Sequence, residues 1–459
     1  MVTLMNKKFL ILSYFSAIFS LLFLCGGCTS TSQVSSYSGT RIKPISYSSL
    51  DEEPFYAHNQ DSFVEKKLSN GIPVIIKKSK NQNSCGVRLV IDSVPLSDPI
   101  KKAGLEDITL NMLKKGSARY SSLYISSLEY TDSTFFTSKV HVDFLEYGIL
   151  TQKESLPSVI EVFASTYKFP VLSLEEFEKL TSDENRLKSD LLYQLYGILN
   201  KQNKYFAPLM FTEQSEISYK DVVDYHNGLQ NGARIKIIAS GNFNDEDADE
   251  LIKLLENNFA SLKQFKYIKK YPGKAMLEAD KRLYQVENYN NAPVCALGFS
   301  EIPGPLTDDY LSYGILSMYL DDLLYNAIRE KYSMASDAGC GVLLSNGNLG
   351  LISIYDISLM KINIENVMKA VEDGLSEQII EKKLDSYKRV YVSFIMNSEF
   401  SSDKTLDQMA LGLVYKNDAK DYIKRPFRVY KISAESVRKI YEECIKDKIC
   451  WIINGSMTK

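Results

Sequence analysis

The chain has 459 residues, 45% of them apolar, and its 54 basic side chains nearly cancel 57 acidic ones, for a net charge of −3. That length supports two or more domains, each with a core of its own, and the even charge leaves no basic stripe of the kind nucleic-acid binding needs. No internal apolar run approaches the ~20 residues that span a bilayer.

The N-terminus differs in character from the rest. Lys7 and Lys8 precede an apolar run from Phe9 to Leu24, which is the layout of a secretory signal peptide. The run closes in Leu24-Cys25-Gly26-Gly27-Cys28, which resembles a bacterial lipobox, with a small residue before the cysteine that takes the lipid. Cys25 stands where the usual pattern has leucine. Residues 1–27 are expected to be the signal peptide, and Cys28 the lipidated first residue of the mature chain. Residues 28–60, rich in Ser, Thr and Tyr and without periodicity, read as a tether. The body is thereby expected in the cell envelope, held to a membrane through its N-terminal lipid on the periplasmic or surface side.

The body opens with two apolar runs between Phe63 and Ile76, separated by Asn70-Gly71, a hairpin signal. Cys85 to Asp92 reads as a buried strand. Ala103 to Ser117 follows, with Leu105, Ile108 and Met112 at helical spacing and Gly116 where a left-handed cap would stop the helix. Thr134 to Phe144 alternates as a strand group, and helical patterns run from Leu156 to Thr166 and from Leu174 to Asn200. Ser218 and Asp221 form a variant capping box. The strand Arg234 to Ser240 then turns at Gly241-Asn242 into a helix, Asp245 to Asn257, whose acidic first turn suits the dipole. Polar residues around Pro272-Gly273 mark a linker over 266–282.

Beyond the linker the first half is echoed. Ile217-Ser218 and Val222 recur as Ile432-Ser433 and Val437, 215 positions on, and Gly241 recurs as Gly455, 214 positions on. The strand ending near Val94-Pro95-Leu96 recurs at Gly298 to Pro305. A repeat of ~210 residues is too long for a solenoid unit and describes two homologous domains, over 61–265 and 283–459.

Ala-Gly-Leu-Glu-Asp-Ile-Thr-Leu-Asn-Met-Leu-Lys-Lys-Gly-Ser, from Ala103 to Ser117, resembles the pitrilysin or insulinase (M16) zinc peptidases, whose corresponding line reads Gly-Leu-x-His-x-x-Glu-His-x-Leu-x-x-Gly-Thr. The strand, turn and acidic helix after Arg234 are similar to the end of an M16 domain. The likeness runs over about residues 61 to 459. It implies an α+β fold of two M16-like domains, antiparallel-rich sheets packed with helices, arranged as a clamshell.

Laid on that motif, the two histidine positions are Asp107 and Asn111, and the glutamate position is Leu110. The chemistry needs two imidazoles one helical turn apart and a carboxylate to take a proton from zinc-bound water. Asp107 could ligate through oxygen, Asn111 is a weak neutral ligand and Leu110 accepts no proton. The family's third ligand falls at Lys188, with Glu184 and Asp190 the nearest carboxylates. His58, His141 and His226 are scattered and read as surface or capping residues. Cys85, Cys295, Cys340, Cys444 and Cys450 show no zinc spacing and demand no disulfide. No Gly-x-Ser-x-Gly elbow occurs. The second-half motif that holds substrate in M16 relatives keeps Arg329 but has Ser336 at its tyrosine position.

Both imidazoles, the base and the tyrosine are therefore replaced. The expected function is that of a membrane-tethered pseudopeptidase without zinc, whose partner is polypeptide or an active M16 subunit. Two rival readings are an active metallopeptidase using Asp107 with Glu184 or Asp190, and a structural envelope lipoprotein.

Overall fold

The computed structural model describes residues 62–98, 101–141, 144–182, 215–269, 283–286, 295–327, 337–344, 349–355 and 364–454. Of the expected features, the signal peptide, the lipidated Cys28, the tether, His58, the part of the predicted Leu174–Asn200 stretch after Ser182, and the Arg329 and Ser336 motif lie outside these residues, while the described part of that stretch is helical only over Leu174–Leu180 and is capped at Thr181. Most of the linker does too.

The first half builds β1 (Phe63–Lys67), β2 (Pro73–Lys78), β3 (Cys85–Asp92), α1 (Leu105–Leu113), α2 (Ser122–Thr131), β4 (Phe135–Val140), β5 (Phe144–Thr151), α3 (Leu156–Lys168), α4 (Leu174–Leu180), α5 (Tyr219–Leu229), β6 (Ile235–Gly241) and α6 (Asp245–Phe259). The expected hairpin is β1 with β2, turned at Gly71 in the left-handed region, φ 90°. β3 has the bounds its composition suggests. The alternating stretch from Thr134 resolves into β4 and the start of a separate strand, β5, which the alternation did not reveal. β5 is an almost continuous buried run, so it shows no period of two.

The second half builds β7 (Leu283–Val286), β8 (Cys295–Glu301), α7 (Asp308–Asn326), β9 (Asp337–Leu344), β10 (Leu349–Tyr355), α8 (Ile364–Asp373), α9 (Glu377–Asn397), α10 (Ser402–Tyr415), α11 (Asp421–Tyr430), α12 (Ala434–Ile440) and β11 (Cys450–Asn454). The two sheets run β1-β2-β6-β3-β5-β4 and β7-β11-β8-β10-β9. In each, one pair is parallel, β2 with β6 and β7 with β11, and the rest are antiparallel. The repeat seen in the sequence is thus a repeat of topology. Its caps match as well: Asp221 N donates to Ser218 Oγ at 3.2 Å, and Ser436 N donates to Ser433 Oγ at 3.1 Å, each in a closed capping box.

One face of the first sheet, with Val87, Leu89 and Ile91, packs on Leu110, Val159, Phe163, Leu255 and Phe259 from its own helices. The opposite face is closed by the second half. Ile75, Val90, Phe144 and Ile238 pack on Leu406, Met409, Ala410, Leu413, Tyr422 and Ile423 from α10 and α11. Gly86 on β3 permits this approach, since a Cβ there would lie 2.7 Å from Leu406 Cδ1. Each half does bury a core of its own, as its length allows, and the contact across this far face comes in addition. A β-sheet has two faces, and the first half's own helices cover one.

A buried ion cluster fastens the second half to that face. Arg88, 1% exposed in the middle of β3, pairs with Glu146 on β5, with Asp403, and with Asp407 Oδ1 at 2.6 Å. Lys139 on β4 also contacts Asp407, and His141 Nε2 lies 2.7 Å from Glu146 Oε1. Burial opposes the charge on Arg88, but the three carboxylates outweigh it and raise its pKa. Burial likewise works against ionised Glu146, yet Arg88 foremost, with His141 and Lys139, brings its pKa down to about 2. Gln82 Nε2 adds hydrogen bonds to Glu399 O at 3.0 Å and Thr405 Oγ1 at 2.9 Å.

Candidate functional site

Two glycines frame α1. Gly104, φ 84°, is its N-cap, and Gly116, φ 131°, lies just past its end, both in backbone that residues with a Cβ adopt at a cost. Between them the apolar residues turn to the core. Leu105, Ile108, Leu110, Met112 and Leu113 are buried, and Leu110 is 0% exposed. Glu106 also faces inward, where its Oε1 accepts from Tyr225 Oη at 2.8 Å. Asp107 and Asn111 share the remaining face, four residues apart as the sequence implies.

Asp107 is open to solvent by area, yet enough protein surrounds it to thin its hydration. That burial raises its carboxyl pKa, while Lys114 and a hydrogen bond with Asn111 pull it the other way. Burial lowers the pKa of Lys114, and Asp107 counteracts it. Lys114 Nζ donates to Ser138 Oγ on β4 at 3.0 Å, joining α1 to the edge of the sheet. On the next residue, Lys115 Nζ stands 3.7 Å from Glu176 Oε2 on α4. Lys114 and Ser138 were not singled out from the sequence, although Lys114 lies seven residues beyond Asp107, two helical turns along the same face.

A zinc ion does not fit this donor set. Leu110 offers hydrocarbon at the base position and points into the core, Asn111 offers an amide, and an ammonium sits nearby. Among the described residues, no three His, Cys, Asp or Glu side chains are grouped to hold a metal. Glu184 and Asp190 lie outside those residues. His141 contributes to the ion cluster rather than standing free at the surface. His226 is buried, with Nε2 2.9 Å from Tyr167 O. Cys85, Cys340 and Cys450 are buried and Cys444 is half-buried; burial pushes the Cys85 thiol up to about 12.

Residues 73–212 match the family model for insulinase (Peptidase family M16), and residues 216–390 match that for the Peptidase M16 inactive domain; together they cover more than half of the chain. The chain belongs to the M16 family. Similar solved structures include a protease from Helicobacter pylori, 16% identical, TM-score 0.71, over 86% of this chain and 99% of that one. A peptidase M16 inactive domain from Pseudomonas fluorescens is 14% identical, TM-score 0.69, over 86% and 98%. The ferredoxin protease FusC, solved in complex with Arabidopsis ferredoxin, is 13% identical, TM-score 0.63, over 88% of this chain but 45% of its own. At these identities the structures show the fold alone. No curated protein sequence matches the chain.

Proposed function

We propose that this M16 protein is not a peptidase and that it works by binding polypeptide, either as a module on its own or as the noncatalytic partner of an active M16 subunit. The observation that carries the reading is Leu110: the position assigned to the catalytic carboxylate is fully buried hydrocarbon in the core of the first half. A proton acceptor there is lost together with both imidazoles.

The fold retains a means of holding an extended chain. β4 is an edge strand, and its Ser138 is bonded to the helix that carries Asp107 and Asn111. Edge strands take up peptide through backbone hydrogen bonds without any catalytic group. The structural relative FusC, in complex with ferredoxin, is a precedent for polypeptide recognition on this fold. Cys28 would carry the lipid that holds the protein in the envelope, and no zinc is required.

The test uses purified full-length protein with fluorescently labelled unfolded casein and, separately, with an active M16 chain from the same cell. Binding without cleavage, or a stable complex, is the expected result. The proposal fails if neither forms. Cleavage together with a stoichiometric transition metal that disappears in Asp107→Ala would instead support the metallopeptidase reading. Loss of membrane partitioning in Cys28→Ala checks the anchor.

A further inference from the structure

The expected linker, 266–282, begins as a held segment. Just before it, Phe265 N donates to Asn231 Oδ1 at 2.9 Å and Asn231 Nδ2 donates to Phe265 O at 3.0 Å, which fixes that residue to the first half. The next residues are neither helix nor strand, and their exposure alternates: Lys266 and Ile268 face solvent while Tyr267 and Lys269 turn inward. Both inward side chains reach one group, Asp92 at the end of β3. Tyr267 Oη donates to Asp92 Oδ2, and Lys269 Nζ stands 3.5 Å from Asp92 Oδ1. The Tyr267 ring also covers the Arg234 guanidinium, whose Cζ lies 4.3 Å from the ring centroid. Asp92 is opposite Phe144 in the register, on the sheet face that α10 closes, and shares that face with Arg88 four residues earlier. We propose that residues 266–269 are a strap, hinged at Phe265, that closes this end of the seam between the halves and lifts without unfolding the protein.

Charge balance in both positions makes the strap releasable. Asp92 Oδ1 faces two ammoniums, Lys269 on the strap and Lys236 on β6 at 4.0 Å. When the strap lifts, Lys236 stays, so the buried carboxylate keeps a counter-ion. Arg234 keeps its bonds too, since its Nη1 donates to Asp92 O at 3.2 Å and to Ser93 O at 2.8 Å, all within the first half. Its Nε is buried with no hydrogen-bond partner among the described residues, and water entering under a lifted ring would supply one. Arg88 is placed differently: parting the halves would take Asp403 and Asp407, two of its three carboxylates, from a buried guanidinium. The strap is therefore the weaker fastening on this face, and it bares Asp92, Lys236 and Arg234 while Arg88 still holds α10.

The experiment is native-state proteolysis of the purified full-length protein. Chymotrypsin cuts after Tyr267 only once that ring has left Arg234 and Asp92, and the product is counted by mass spectrometry. In the wild type the cut should form in plain buffer, and its rate should stay flat as urea rises toward the global transition, the mark of a local opening. A rate that climbs with the urea slope of global unfolding, or no cut after Tyr267, overturns the proposal. Two variants should move the rate in opposite directions. Asp92→Asn removes the charge that both strap residues hold and should raise it roughly tenfold. Lys236→Met removes the counter-ion that remains in the lifted state and should lower it roughly two- to fivefold. A rate that Asp92→Asn leaves unchanged, or that Lys236→Met does not lower, overturns the proposal. If a variant fails to fold, the urea dependence of the wild type decides by itself.

Discussion

The two halves share a strand order and use it differently. In the first, the helix that follows the central antiparallel strand is short and keeps one polar face, with Asp107, Asn111 and Lys114. In the second, the corresponding helix, α7, is 19 residues long and turns several sides to the core through Leu311, Tyr313, Ile315, Leu316, Tyr319, Leu320 and Leu324. The strands differ in the same sense. β3 holds Arg88 in its middle, whereas β8 has no charged residue before Glu301 at its end. The topology therefore demands neither the polar face nor the buried cation, and both belong to what the first half does.

The largest effect should come from the cation. Arg88→Met leaves Glu146 buried without its main counter-charge, and about 3–5 kcal/mol of stability should be lost in urea unfolding. The same cluster sets an acid limit. Glu146 has its folded pKa depressed to about 2, so its contribution is complete above its ordinary value of about 4.5 and is lost as pH falls from there toward 2. Wild-type stability should drop across that window, and the drop should shrink in Arg88→Met.

Leu110→Glu should cost about 3 kcal/mol, because the carboxylate enters an apolar core and is neutralised or strained there. Ile315→Glu, at a buried position of α7, should cost a similar amount. A much smaller cost at Leu110 would mean that this side chain faces the open side after all. Gly86→Val should push α10 off the sheet and cost about 1–3 kcal/mol. The smallest pair of effects comes from the matched caps: Ser218→Ala and Ser433→Ala should each cost about 1 kcal/mol, and a large inequality would show that the two halves do not use α5 and α12 alike.

Local signals carried much of the fold. Asn70-Gly71 and the capping box at Ser218 are short-range features found where their chemistry places them, whereas the helix expected to stop at Gly116 ends at Leu113 with the right-handed cap Lys114, and Gly116 takes its positive φ two residues later. The family motif likewise put Asp107 and Asn111 on one face of a helix. α2 was missed because only Ile125 and Leu128 of its ten residues are buried, too few to mark a period. Asp403 and Asp407 were not singled out, and their partner Arg88 lies more than 300 positions away. An ion pair of that span leaves no trace in either local sequence. Lys114 was overlooked for a related reason, since its role depends on Ser138, which only the folded sheet brings beside it.

The helices over the far face of the first sheet are synthesised long after the strands they cover. Ile75, Val90, Phe144 and Ile238 are in place on their strands well before Leu406, Met409 and Tyr422 exist to cover them, and the hydrogen bond from Gln82 to Thr405 closes a loop of 323 positions. Contacts of that separation form slowly, and an apolar sheet left uncovered meanwhile invites aggregation. The first half expressed alone should therefore be insoluble, because the far face of its sheet stays open until residues 402–430 arrive to cover it.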